Sequence, residues 1–224
     1  MRIIPAIFFL LLSFGFVSAQ NELAPIVERS FDYKDWVYNN VETGKDTNLR
    51  KFVNGKKLVM VVYWAPWCPN WKYDAAFVQS LYDKYKDKGL DIIGVGEYDP
   101  VDKMKAHIKE YKLTYTNVYE SVSSADRLKT THYTQRTEAG DARKWGSPWY
   151  VFLEAGKLEP EGQIVMSKKP PVVNGELMRK ETEAFIQQKL GIATTAQTTA
   201  IGRSKEIEVC EPDTKTTEFK KPCL

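Results

Sequence analysis

Cys68 is the residue of this sequence best placed to do chemistry. It follows the apolar run Leu58 to Trp64 and precedes a stretch, Trp71 to Lys86, with apolar residues at Ala75, Val78, Leu81, Tyr82 and Tyr85. The run, closed by Pro66, predicts a strand buried on both faces of a sheet. The spacings of three and four that follow predict one face of a helix. Cys68 then sits where strand turns to helix, and unpaired backbone amides and the helix dipole there stabilise a thiolate. Pro69 suits the first helical turn, which needs no amide donor at that position. Nucleophilic cysteine chemistry is what this placement allows.

The other candidate groups point elsewhere. Cys210 and Cys223 bracket a charged segment with no apolar periodicity, and in an oxidising compartment they most simply pair with each other. Closing that short loop contributes roughly 3 kcal/mol in the chain-entropy model. His107 and His132 have no ligand-spaced neighbours, so no metal site is expected. The expectation is a surface helix residue for His107 and a loop residue for His132. Gly94-Val95-Gly96 lacks the rest of a phosphate-cradling pattern, and no cofactor is implied.

The run Trp64-Ala65-Pro66-Trp67-Cys68-Pro69-Asn70-Trp71 resembles the signature of the thioredoxin superfamily, in particular its exported redoxin or TlpA-like oxidoreductases. The resemblance runs from about Gly44 to Gly191. It implies an α/β thioredoxin fold, a central mixed sheet flanked by helices, and thiol-disulfide exchange through Cys68. It also implies that Pro148, in Gly146-Ser147-Pro148-Trp149, is the cis proline that faces the reactive cysteine. Two departures bear on mechanism. Trp71 stands where the family keeps its second, resolving cysteine, and Val62 stands where thioredoxins proper keep a buried acid. A peroxiredoxin-type peroxidase would place a proline and a hydroxyl residue where this sequence has Val61 and Ala65.

Around that centre, the order of elements is legible. Leu90 to Val95 predicts a second strand after Gly89, then a helix through Val101, Met104, Ile108 and Tyr111, then a strand near Tyr115 to Tyr119. This β-α-β-α-β order predicts parallel strands. Ser121 to Lys144 is polar and reads as an irregular insertion. Tyr150 to Leu153, Gln163 to Met166 and the helix Leu177 to Leu190 complete the thioredoxin order. Aromatics alternate with charges from Phe31 to Phe52, where the redoxin branch adds an N-terminal strand or hairpin.

The expected domain plan has four parts: residues 1–19, an export signal with Arg2, an apolar run and Val17-Ser18-Ala19; 20–55, an N-terminal extension; 56–191, the thioredoxin-like domain; 192–224, linker and tail. Cleavage would leave no membrane anchor, because the apolar run is too short to span a bilayer comfortably. Export to the periplasm or the extracellular space is the expectation. Losing Arg2 takes the formal charge from +3 to +2, so charge supplies no argument for a nucleic-acid partner.

The expected activity is thiol-disulfide exchange on protein or small-molecule thiols by Cys68 alone. Trp67, Pro69, Trp71, Ser147, Pro148 and Trp149 are expected to frame the partner groove, with the tryptophans divided between groove and core. The alternative is a redox-silent thioredoxin-fold module that binds peptides or partner proteins.

Overall fold

The computed structural model describes residues 22–193. Its N-terminal part contains β1 (Leu23–Ala24), β2 (Val27–Glu28), β3 (Tyr33–Lys34), β4 (Val37–Asn40), β5 (Asp46–Asn48) and α1 (Leu49–Val53). The centre of the chain supplies β6 (Leu58–Trp64), α2 (Pro69–Tyr85), β7 (Leu90–Gly96), α3 (Val101–Tyr111), β8 (Thr116–Tyr119) and α4 (Thr131–Glu138). It closes with β9 (Trp149–Glu154), β10 (Ile164–Met166), β11 (Pro171–Val173), β12 (Glu176–Leu177) and α5 (Arg179–Leu190).

Eight strands form one mixed sheet in the order β2-β11-β9-β6-β7-β8-β4-β5. β6 lies inside it, parallel to β7 and antiparallel to β9, and every one of its residues is buried. Side chains along it alternate between faces, as strand geometry requires. Leu58, Met60, Val62 and Trp64 join the core packed by α2, α3 and α5. Val59, Val61 and Tyr63 join a second core with Phe31, Tyr33, Trp36, Leu49 and Val53. This is the expected α/β thioredoxin architecture. The expected N-terminal hairpin is β4–β5, which extends the β8 edge, while β2 extends the opposite edge beside β11.

Three local expectations are corrected. The polar stretch Ser121 to Lys144 contains α4, whose His132, Gln135 and Arg136 are buried. The strand at Gln163 to Met166 is β10 and pairs with β3 outside the main sheet; β11 is what pairs with β9. The last helix begins at Arg179, because Leu177 is held in β12 against β1. Among the described residues, no helix is long and apolar enough to cross a membrane.

Candidate functional site

The turn from β6 to α2 builds the site. Trp64 ends the strand with its carbonyl accepting from Glu97 N at 2.8 Å. Ala65 N then donates to Ser147 Oγ at 3.2 Å, and Cys68 N closes a turn onto Ala65 O at 3.0 Å. Cys68 is the N-cap of α2, with extended backbone (φ −73°, ψ 119°), and Pro69 opens the helix. The Cys68 carbonyl accepts from Lys72 N at 3.1 Å, the first bond of the helix. Its thiol is free, only 5% of the residue is exposed, and Sγ donates to Ser147 O at 3.2 Å. The Ser147–Pro148 peptide is cis. Ser147 thus holds both ends of the cysteine turn, one through its hydroxyl and one through its carbonyl.

The structure divides the expected groove residues. Trp67 is 39% exposed and Pro69 is exposed, whereas Ser147 and Pro148 are buried beside the thiol. Trp71 and Trp149 are fully buried and are core, which corrects their assignment to the groove. Trp71 Nε1 donates to His107 Nε2 at 2.8 Å, and its ring packs 5.8 Å from Trp64. Trp149 packs against Tyr63 and donates Nε1 to Asn174 Oδ1 at 2.9 Å. A ring that sequence reasoning missed takes their place: Trp145 meets Trp67 edge-on, centroids 5.0 Å apart. Cys210 and Cys223 lie outside the described residues.

His107 is not on the surface. It is 3% exposed, stacked between Trp64 and Tyr111, and accepts the Trp71 indole proton. Burial, with a smaller push from the Lys72 cation, lowers its pKa to about 4. An imidazole that must accept at Nε2 is neutral, as that shift requires.

Val62 supplies no acid, but an acid reaches the same neighbourhood from α2. Asp74 is fully buried, and its Oδ2 accepts from Tyr150 Oη at 2.7 Å and from Leu177 N at 2.8 Å. Tyr150 is the register partner of Val62. Burial pushes the Asp74 carboxyl up to about 6 against the pull of those two donors, and Oδ1 has no partner. Burial and then Asp74 hold the Tyr150 phenol well above its ordinary value, with Cys68 a lesser contributor. The signal for Asp74 was available: it lies six residues after Cys68, on the face of α2 that also carries Trp71 and Ala75.

Behind the 146–148 loop, α4 provides a buried polar buttress. His132 is fully buried, which corrects its assignment to a loop; Nε2 lies 3.1 Å from Gly146 O and Nδ1 2.9 Å from Tyr98 Oη. Burial drives its pKa well down, so the ring is neutral. Arg136 donates to the carbonyls of Asp141, Arg143 and Lys144, tying down the approach to Gly146. Glu120 accepts from the backbone amides of Thr131 and His132 at the start of α4. Glu97 is buried beside it, and burial first, then Glu120, holds its carboxyl well above the usual range. Among the described residues, no group of His, Cys, Asp and Glu is arranged to hold a metal ion.

The model of the AhpC/TSA family matches residues 30–137. The thiol-disulfide oxidoreductase ResA of Oceanobacillus iheyensis is 37% identical over 59 residues, 26% of this chain and 31% of that protein. Chloroplastic peroxiredoxin Q of Gentiana triflora is 35% identical over 131 residues, 58% of this chain and 51% of that protein. The chain therefore spans only about a third to a half of these curated relatives. A secreted thiol-disulfide isomerase from Corynebacterium glutamicum aligns with TM-score 0.54 at 16% identity, covering 80% of this chain and 98% of that one. That likeness concerns the fold alone.

Proposed function

Residues 30–137 match the AhpC/TSA-family model and the chain has a thioredoxin fold, and from that premise we propose that this chain is an exported thiol-disulfide oxidoreductase of monothiol type. Cys68 is the nucleophile. The observation that carries this reading is its thiol at the N-cap of α2, 3.2 Å from Ser147 O on the loop that ends in Pro148. Protein or small-molecule disulfides are the substrates, and Trp67, Ser147 and Pro148 frame their approach. Attack by the Cys68 thiolate forms a mixed disulfide and releases one substrate thiolate. Trp71 cannot resolve that adduct, so a second thiol from elsewhere must. Export to the periplasm or the extracellular space rests on the leader-like residues 1–19. Cys210 and Cys223 are assigned to one another in the oxidised protein.

The peroxidase reading suggested by the peroxiredoxin relative lacks its chemistry at this site. Val61 is buried core, and Ala65 offers only a backbone amide, already bonded to Ser147 Oγ. The test is adduct formation: native protein treated with glutathione disulfide should gain one glutathione, mapped to Cys68 by mass spectrometry and absent from Cys68→Ser. Reaction only after denaturation would favour the redox-silent binding module.

A further inference from the structure

One surface beside Cys68 is built for an occupant that the site itself does not explain. Trp67 adjoins Cys68 in sequence, Trp145 adjoins Gly146, and the two rings meet edge-on at 5.0 Å. The Arg127 guanidinium lies 5.2 Å from the Trp145 ring centroid and the Lys144 ammonium 5.5 Å from it. Arg127 also donates to Lys144 O at 2.8 Å, which locks the two segments together. Neither cation has a carboxylate partner among the described residues. Two exposed apolar side chains, Val122 and Leu128, extend the same segment. The face is therefore aromatic, apolar and positive, and it borders a cysteine whose adduct needs a second thiol.

The chain carries a segment of complementary chemistry. Glu206-Ile207-Glu208-Val209-Cys210-Glu211-Pro212-Asp213 holds four acids, no lysine or arginine, two aliphatic residues and a thiol. Cys223, by contrast, follows Lys220 and Lys221. Reach is also suitable. Lys189, near the end of α5, bonds Glu154 Oε2 at 2.9 Å, and Glu154 is the register partner of Leu58. The described chain thus ends near the start of β6, and Cys68 lies beyond the far end of that strand. Seven residues of strand span about 23 Å. The 17 residues from Thr194 to Cys210 have a root-mean-square reach of about 23 Å and an extended reach above 50 Å. A tether matched to its span gives an effective concentration in the millimolar range.

We propose that residues 206–213 dock on the Trp67, Trp145, Arg127 and Lys144 face and present Cys210 as the resolving thiol of Cys68. This rests on Cys68 acting as the nucleophile. The Cys210 thiolate attacks the Cys68 sulfur of the mixed disulfide, forming a Cys68–Cys210 bond and releasing the second substrate thiolate. The Cys223 thiolate then attacks Cys210, forming the Cys210–Cys223 disulfide and releasing the Cys68 thiolate. The substrate disulfide gains two electrons and two protons, the tail dithiol loses them, and a small-molecule or protein dithiol outside the chain reduces the tail again.

The experiment uses the full chain with all three thiols reduced, mixed with glutathione disulfide, quenched with acid and mapped under non-reducing conditions. The glutathione adduct at Cys68 should form and then decay without added thiol as a Cys210–Cys223 peptide appears. In Cys223→Ser the intermediate Cys68–Cys210 link should accumulate. In Cys210→Ser the adduct should persist on the order of tenfold longer or more. Arg127→Glu with Lys144→Glu, or Lys144→Glu alone, should slow adduct decay in the full chain, and raised salt should slow the unmodified protein. An adduct that forms but decays equally in Cys210→Ser overturns the tail mechanism and leaves Cys68 as a nucleophile. Preferential Cys68–Cys223 linkage, or decay indifferent to the charge reversals and salt, overturns the docking. Failure of any adduct to form overturns the reading of Cys68 itself.

Discussion

Trp71, three residues after Cys68, does its work by filling space. It buries a full indole between Trp64 and His107 and gives His107 its only proton donor in the structure of residues 22–193. A cysteine there would leave a large void and an orphaned imidazole acceptor. Trp71→Cys is expected to cost about 3–5 kcal/mol in urea denaturation; a loss below about 1 kcal/mol would mean that the indole is not packed as described. Asp74 presents a different problem, a carboxylate without enough partners. With its folded pKa near 6, above the unfolded value of about 4, it binds protons more tightly when folded. Its support for the fold is present below about pH 4 and lost as pH rises through 6, a change on the order of 3 kcal/mol. His107 works in the opposite sense. Its folded pKa near 4 means that the unfolded state takes up the proton first, so acidification from about pH 6.5 to 4 weakens the fold. Both donors to Asp74 use Oδ2 alone, and an asparagine oxygen can keep them. Asp74→Asn should therefore raise the melting temperature at pH 8 and make stability fall more steeply with acid, as one of the carboxyls that oppose His107 is gone. A lower melting temperature at pH 8 would show that the Asp74 charge is not an electrostatic burden.

α4 is the element on which the loop around Ser147 depends. It is short and mostly polar, yet His132 reaches Gly146 O while Arg136 collects three carbonyls from residues 141–144. Gly146 has φ +60°, and a Cβ there would lie 2.3 Å from Arg136 Cδ. Gly140, just past the end of α4, has φ +85° but open space around its missing Cβ. Gly140→Ala should cost only the left-handed strain of about 1–2 kcal/mol. Gly146→Ala adds a collision with a buried side chain and should cost about 2–4 kcal/mol. It should also change the alkylation rate of Cys68, because Ser147 holds both Ala65 N and the thiol. Equal costs at the two glycines would separate α4 from the support of the loop.

The molecule as a whole closes around β6 from both faces, and its N-terminal part belongs to that closure. Phe31, Tyr33 and Trp36 fill the second core, with Tyr33 Oη 2.7 Å from Tyr63 Oη. Burying rings of this kind is worth about 1.5–3 kcal/mol each, so losing all three, together with Leu49 and Val53 of the same core, removes a free energy comparable to the roughly 5–15 kcal/mol margin of an ordinary domain. A fragment of residues 56–191 is accordingly expected to lack a cooperative thermal transition, while residues 22–193 unfold cooperatively in calorimetry. Cooperative unfolding of the shorter fragment would make the extension an accessory rather than a part of the core.

The primary sequence by itself determined the β6–α2 junction, the place of Cys68 and the parallel order of β6, β7 and β8. All of these are written in local terms: a continuous apolar run, a three-and-four spacing, a proline at a helix start. What only the tertiary structure decided is polar and long-range. α4 buries His132, Gln135 and Arg136 instead of an apolar stripe, so hydrophobic periodicity had nothing to detect, although Thr130 caps the helix by accepting from Tyr133 N. His107 and Trp71 are 36 residues apart, and neither side chain alone announces the bond that buries both. The division of the tryptophans, with Trp67 exposed and Trp145 half-buried between elements while Trp71 and Trp149 are buried in separate cores, follows from whether the fold packs a core around each. Side-chain chemistry is the same for all four, and burial is a property of the packed neighbours.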